Sequence, residues 1–151
     1  MSKALELLAP AKNLEQGIAA INHGADAVYI GAPSFGARQA AGNSIEDIET
    51  LTRYAHLYGS KVFATVNTLL HADELEPARQ LVWQLYDAGV DAVLVQDLAL
   101  LGQQLPPVAL HASTQTDNRT AERVRQLRDA GFRRVVLARE LSVGEIAAIH
   151  E

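Results

Sequence analysis

One recurring phrase constrains this chain more than any other feature. It reads GADAVYIGA at residues 24–32 and returns as GSKVFATVN at 59–67, GVDAVLVQD at 89–97 and GFRRVVLARE at 131–140. Each copy opens on a glycine, turns on one or two small or polar residues, and runs into a short Val/Ile-rich segment. Glycine adopts the left-handed conformation that ends a helix, and a short apolar run is the mark of a strand buried on both faces. Four copies, each about one βα unit from the next, predict an α/β chain with parallel strands.

The pattern predicts six strands, at residues 5–9, 27–30, 62–66, 92–95, 108–112 and 134–138. Helix starts are marked by Asn13 with Gln16, by Ser44 with Asp47, and by Ser142 with Glu145, pairs at capping-box spacing. Pro77 fits the first turn of a helix that ends at Ala88, and a further helix is expected over 117–130. A short helix from Leu98 should stop before Pro106 and Pro107. Two architectures fit: a doubly wound open sheet, or part of a (β/α)8 barrel, which has eight strands. No G-x-G-x-x-G or Walker A glycine loop follows the first strand, where Ala9-Pro10-Ala11 stands instead. The expected fold is therefore an incomplete TIM-type barrel of about six parallel strands, forming a single domain over 1–151.

Composition narrows the function classes. With 48% apolar and 21% charged residues the chain reads as globular, and its 151 residues can bury a sizeable core. It has no cysteine, hence no disulfide and no thiolate metal site. No stretch approaches the roughly 20 apolar residues of a membrane span, so no membrane contact and a cytoplasmic location are expected. The net charge of −5 is uneven, with six Lys/Arg against twelve Asp/Glu through residue 100 and seven against six thereafter. The arginines at 119, 123, 125, 128, 133 and 134 lie on or just after one helix and read as a solvated face with cations favoured near the helix C-terminus, with a phosphate-binding stripe as the alternative.

Ligands of α/β folds sit at the C-terminal ends of the strands. Alternation places Val108 and Leu110 on one face of their strand and Ala109, His111 and Ser113 on the other. Polar groups collect at the strand ends: Asn67, Gln96, Asp97, His111, Ser113, Gln115, Arg139 and Glu140, with Tyr29 beside them. The loop over 31–43 is longer than the usual 2–6 residues and carries Arg38 and Asn43. The expected catalytic groups are His111, Asp97 and Glu140. The expected substrate-binding groups are Arg38, Asn43, Asn67, Gln96, Ser113, Gln115 and Arg139. Arg38 and Arg139 offer bidentate forks for carboxylates, with a pairing of Arg139 to Glu6 as the structural alternative. His111 is a candidate proton shuttle. No ligand pair has metal-binding spacing around His111, so no metal is expected in this chain.

ELLAPA (6–11), GADAVYIG (24–31), the FGAR…GNS loop, TVNTLLH (65–71), VQD (95–97), HASTQ (111–115) and LAREL (137–141) resemble the N-terminal barrel of the U32 peptidases, also called collagenase-like proteases. The resemblance runs the length of the chain with the motifs in order. FGAR, DELEPA (73–78) and ARELS (138–142) resemble the branch that hydroxylates cytidine in bacterial large-subunit rRNA more than the branch acting on tRNA uridine. It implies an Fe–S cluster held by cysteines of a longer protein, a small carboxylate such as prephenate as co-substrate, and rRNA as partner. Proteolysis is the alternative activity, although no G-x-S-x-G, H-E-x-x-H or cysteine nucleophile is present. A non-catalytic binding or assembly role for the isolated chain is the third. Unfinished sheet edges predict self-association into a homo-oligomer.

Overall fold

A computed structural model describes residues 5–35 and 42–150. Six strands, β1 (Leu8–Ala11), β2 (Ala27–Gly31), β3 (Lys61–Val66), β4 (Ala92–Val95), β5 (Ala109–Ala112) and β6 (Arg134–Val135), form one sheet in the order 1-2-3-4-5-6, every neighbouring pair parallel. A doubly wound sheet reverses its strand order at a switch point, whereas a barrel wall advances one strand at a time. The observed order is that of an incomplete (β/α)8 barrel. Helices α1 (Leu14–Asn22), α2 (Ile45–Leu57), α3 (Leu75–Asp87), α4 (Ala121–Asp129) and α5 (Val143–His150) follow β1, β2, β3, β5 and β6, and only a 3₁₀ turn, Leu98–Gly102, joins β4 to β5.

The recurring glycines do what their position demands. Gly24, Gly59, Gly89 and Gly131 have φ of +95°, +71°, +87° and +112°. In each copy the next residue donates its N–H five residues back, from Ala25 to Ala20, Ser60 to Ala55, Val90 to Leu85 and Phe132 to Leu127, at 3.0–3.3 Å. This is a Schellman closure, which satisfies the last helix carbonyls and turns the chain back under the helix. Helix starts match their sequence signals. Asn13 accepts from the Gln16 N–H at 3.0 Å, Ser44 and Asp47 cap each other reciprocally, and so do Ser142 and Glu145.

Alternation separates two faces. Val28, Ile30, Val62, Val66, Val93 and Val95 point outward into the main core under Ile21, Ile48, Leu51, Val82 and Leu85. Ala27, Phe63 and Ala92 form a smaller cluster on the concave inner face, flanked by Leu8, Tyr29, Leu94 and Ala109.

Three elements differ from the sequence reading by three or four residues at one end. The first strand covers Leu8–Ala11 rather than 5–9, and includes Pro10. The Asp26 carboxylate accepts from the Leu7 N–H at 2.7 Å and clamps the lead-in before the ladder begins. By alternation from Leu7, whose N–H and carbonyl face the start of β2, the missing N–H of Pro10 points away from β2 and costs no bond to it. The sixth strand stops at Val135 rather than 138, because Asn118 takes over the next groups: its side chain donates to the Val136 carbonyl and its own carbonyl accepts from Ala138. The fourth α-helix starts at Ala121 rather than 117, since Asp117 is left-handed at φ +59° and Thr120 caps the helix instead.

Helices α1 and α2 approach so closely at Gly17 that a Cβ there would lie 2.7 Å from both Leu51 methyl carbons, and Leu51 is fully buried. Alanine is better than glycine in a helix by about 1 kcal/mol. We expect the clash to outweigh that gain, so that Gly17→Ala lowers stability by about 1–3 kcal/mol, read as a lower urea midpoint. An unchanged or higher midpoint would show that the two helices can separate at no cost.

Candidate functional site

The segment after β5 forms a polar surface at the strand ends. Ser113 is buried, accepts from the Gln115 N–H at 3.3 Å and starts the 3₁₀ turn Thr114–Thr116. Fully buried Asn118 then locks the segment. Its Nδ2 donates to the Ser113 carbonyl at 2.7 Å and the Val136 carbonyl at 2.8 Å, and its Oδ1 accepts from the Thr116 hydroxyl at 2.5 Å. One side chain thus ties the end of β5 to the chain leaving β6.

Against this scaffold lies a cleft of about 450 Å³ lined by Thr114, Gln115, Asp117, Arg119, Ala138, Arg139 and Glu140. Arg119 donates to Asp117 at 2.5 Å, and that bond holds the Asp117 carboxyl below its usual range and the Arg119 guanidinium above. Glu140 adds a weaker attraction on Arg119. Arg139 is exposed and, among the described residues, has no carboxylate within ion-pair distance. It is the uncommitted cation of the cleft, and a guanidinium presents a planar fork to a carboxylate.

The structure gathers Gln115, Arg139 and Glu140 at this cleft and sends other expected site residues elsewhere. Asp97, expected to be catalytic, is an anchor: its two oxygens accept from the Leu70 and Ala99 N–H groups, both at 2.9 Å. Asn43 is buried and donates to the Lys12 and Gly31 carbonyls at 3.0 and 3.1 Å, joining the loop ends after β1 and β2. Asn67 and Gln96 are half-buried, just past the ends of β3 and β4. Arg38 lies outside the described residues. Among the described residues no group of three or more His, Asp or Glu is placed to hold a metal ion.

His111 sits deeper, on the inner face, only 5% exposed, its ring edge-on to Phe63 with centroids 4.8 Å apart. Burial first, then the Arg134 charge, lowers its pKa to about 4; Lys61 adds to the effect and Glu6 opposes it. At neutral pH the ring is therefore un-ionised.

Arg134 and Asn118 are the residues that sequence reasoning missed. Arg134 falls in the strand expected over 134–138. It lies on β6, stands over the Phe63 ring at 5.4 Å, and reaches Glu6 at 2.5 and 3.3 Å. Glu6 thus pairs with Arg134 and not with Arg139. Alternation carried the signal, since Arg134 shares register with inward-facing His111.

The family model for peptidase family U32 matches residues 12–151. The chain belongs to family U32. It is 55% identical, over 150 residues, to a 23S rRNA 5-hydroxycytidine C2501 synthase of Escherichia coli, which covers 99% of this chain and 23% of that protein. A tRNA hydroxylation protein of Bacillus subtilis is 37% identical, covering the whole chain and 37% of the relative. The U32 domain described here therefore spans only a quarter to two-fifths of the length of these relatives. Among solved structures a U32 peptidase superposes with a TM-score of 0.72 at 15% identity, over 99% of this chain and 66% of that one, which confirms the barrel architecture. No described helix of this U32 chain is long and apolar enough to cross a membrane.

Two stability tests follow from the geometry. A histidine that titrates near 4 when folded and near 6.5 when unfolded favours the native state fully above pH 6.5, and that contribution is lost as pH falls from 6.5 to 4. The loss should approach about 3 kcal/mol in pH-dependent unfolding and be absent from His111→Gln over that window. A His111→Gln profile matching the parent would refute the assignment. Asn118→Ala takes the side-chain donor from the Val136 carbonyl and leaves the Thr116 hydroxyl and the Ser113 carbonyl bonded only to each other, at 2.8 Å. It should cost about 1–3 kcal/mol in chemical denaturation, and a loss below about 0.5 kcal/mol would mean water replaces the lost bonds.

Proposed function

We propose that this chain is the barrel section of a longer protein that hydroxylates cytidine in large-subunit ribosomal RNA. The identity of 55% to the Escherichia coli synthase, sustained over nearly the whole chain, carries the reading. Its part in the reaction is to bind. The cleft after β5 and β6 takes a small carboxylate, prephenate-like in being a compact organic acid. Arg139 makes the charged contact, Gln115 supplies a neutral hydrogen-bonding group, and Glu140 and the Asp117–Arg119 pair form the rim. The rRNA base approaches the same strand ends, and the site of action is the cytoplasm, where ribosomes are made.

Placing oxygen on a pyrimidine is redox chemistry. An Fe–S cluster, which the family resemblance implies, needs thiolates, and none of the 151 residues is a cysteine. The residues of this chain do not fit such a cluster, so its ligands belong to other parts of the protein. Proteolysis, the activity in the family's name, has less support. Ser113 is buried and caps a turn, and His111 faces Phe63 instead of a nucleophile.

The test is complementation. The intact protein carrying this chain is expressed in cells lacking the endogenous synthase, and 5-hydroxycytidine is quantified in digested 23S rRNA by mass spectrometry. The parent should restore the nucleoside. Arg139→Met should lower it about tenfold or more, the effect of losing one hydrogen bond to a charged group of roughly 1.5–3 kcal/mol. No nucleoside from a folded, expressed parent would overturn the function, and full yield from Arg139→Met would remove Arg139 from the site.

A further inference from the structure

The concave face of the sheet holds a connected group of side chains that the strand-end cleft does not use. Register places Tyr29, Phe63, Ala92 and Ala109 in one row and Thr65, Leu94, His111 and Arg134 in the next. The alanines of β4 and β5 leave space on the wall between Phe63 and Arg134. The Arg134 side chain fills that space: it passes over the Phe63 ring, and its two terminal nitrogens bond the two oxygens of Glu6, 128 residues away. Phe63 is thereby shared, with the guanidinium over its face and the His111 ring edge-on to it at 73°. A bidentate guanidinium–carboxylate pair is directional, so Arg134 is held at its end by Glu6 and along its length by the ring.

We propose that Arg134 is a positioning residue for His111, braced between Glu6 and Phe63 so that the imidazole is presented to the barrel interior in one orientation and as a hydrogen-bonding group. The charges facing His111 come from three elements: Arg134 on β6, Lys61 at the start of β3, and Glu6 just before β1. A proton on His111 would place a third cation against a single carboxylate. Burial and the two cations therefore act together, and Glu6 only partly offsets them. The resulting neutral ring can offer one N–H and one lone pair to an entering group, such as the edge of a nucleobase. The brace itself is independent of the hydroxylase reading; only the use a base would make of His111 rests on it.

The test needs no activity. Histidine C2 hydrogen–deuterium exchange, read by mass spectrometry from pH 3 to 9 on the intact protein, gives the titration midpoint of each imidazole. His111 should titrate near 4 in the parent. Arg134→Met should move it upward, though short of 6.5 because burial remains, whereas Arg134→Lys should keep it low. Glu6→Gln, which removes the offsetting charge but keeps an acceptor for Arg134, should not move it upward. Merely loosened packing would raise the midpoint in all three variants, because a wetter ring titrates closer to its ordinary value. That pattern, or a parent midpoint near 6.5, would overturn the proposal. The two conservative variants and the parent decide the matter even where Arg134→Met fails to fold.

Discussion

A backbone conformation that only glycine adopts at little cost sets every helix-to-strand corner of the repeat. With φ beyond +70° at Gly24, Gly59, Gly89 and Gly131, the chain ends its helix and sends the next residue back beneath it. A residue with a Cβ would cost roughly 1–2 kcal/mol in that conformation. The corner also delivers a polar clamp in two copies. Asp26 captures the Leu7 N–H and Asp91 the Val62 N–H, each binding a new strand to the start of the preceding one. Sequential pairing of parallel strands, and with it the barrel wall, follows from repeating this unit.

The two faces of that wall then serve different ends. Outward side chains are branched and apolar because they meet helices, and burial of this area supplies most of the stabilisation. Inward side chains are uneven in size, large at Tyr29 and Phe63 and small at Ala92 and Ala109. This unevenness is what admits a guanidinium to the concave face, where Arg134 links the two edge strands' ends of the chain through Glu6. The concave face is thus partly charged and partly aromatic, and His111 lies within it as a neutral group.

Polar residues at strand ends divide between anchoring and availability. Asp97, Asn43, Ser113 and Asn118 have their hydrogen-bonding groups engaged by the backbone, which holds the loops against the ends of the strands. Rigid loops are what give the neighbouring cleft a defined shape. Gln115, Arg139 and Glu140 remain exposed on it.

The glycine-led phrase marked four of the six strands and the parallel class, and alternation showed which side chains of β5 face inward, because those properties depend on local sterics and a period of two. Helix starts were equally legible, since a cap involves residues three positions apart. What the sequence left open involves groups distant along the chain. Asp97 and Asn43 read as polar groups at strand ends, and their contacts to Leu70 and Gly31, 27 and 12 residues away, were not legible. Asn118 gave no signal because its partners lie on both sides of it, at Ser113 and Val136. Arg134 was legible as a strand residue, but its partner was not, because only the curvature of the sheet brings Glu6 within its reach. Tertiary structure decided these roles for one physical reason. A polar side chain's function is set by which donors, acceptors and charges surround it, and those neighbours are supplied by the curvature of the sheet and not by adjacent residues.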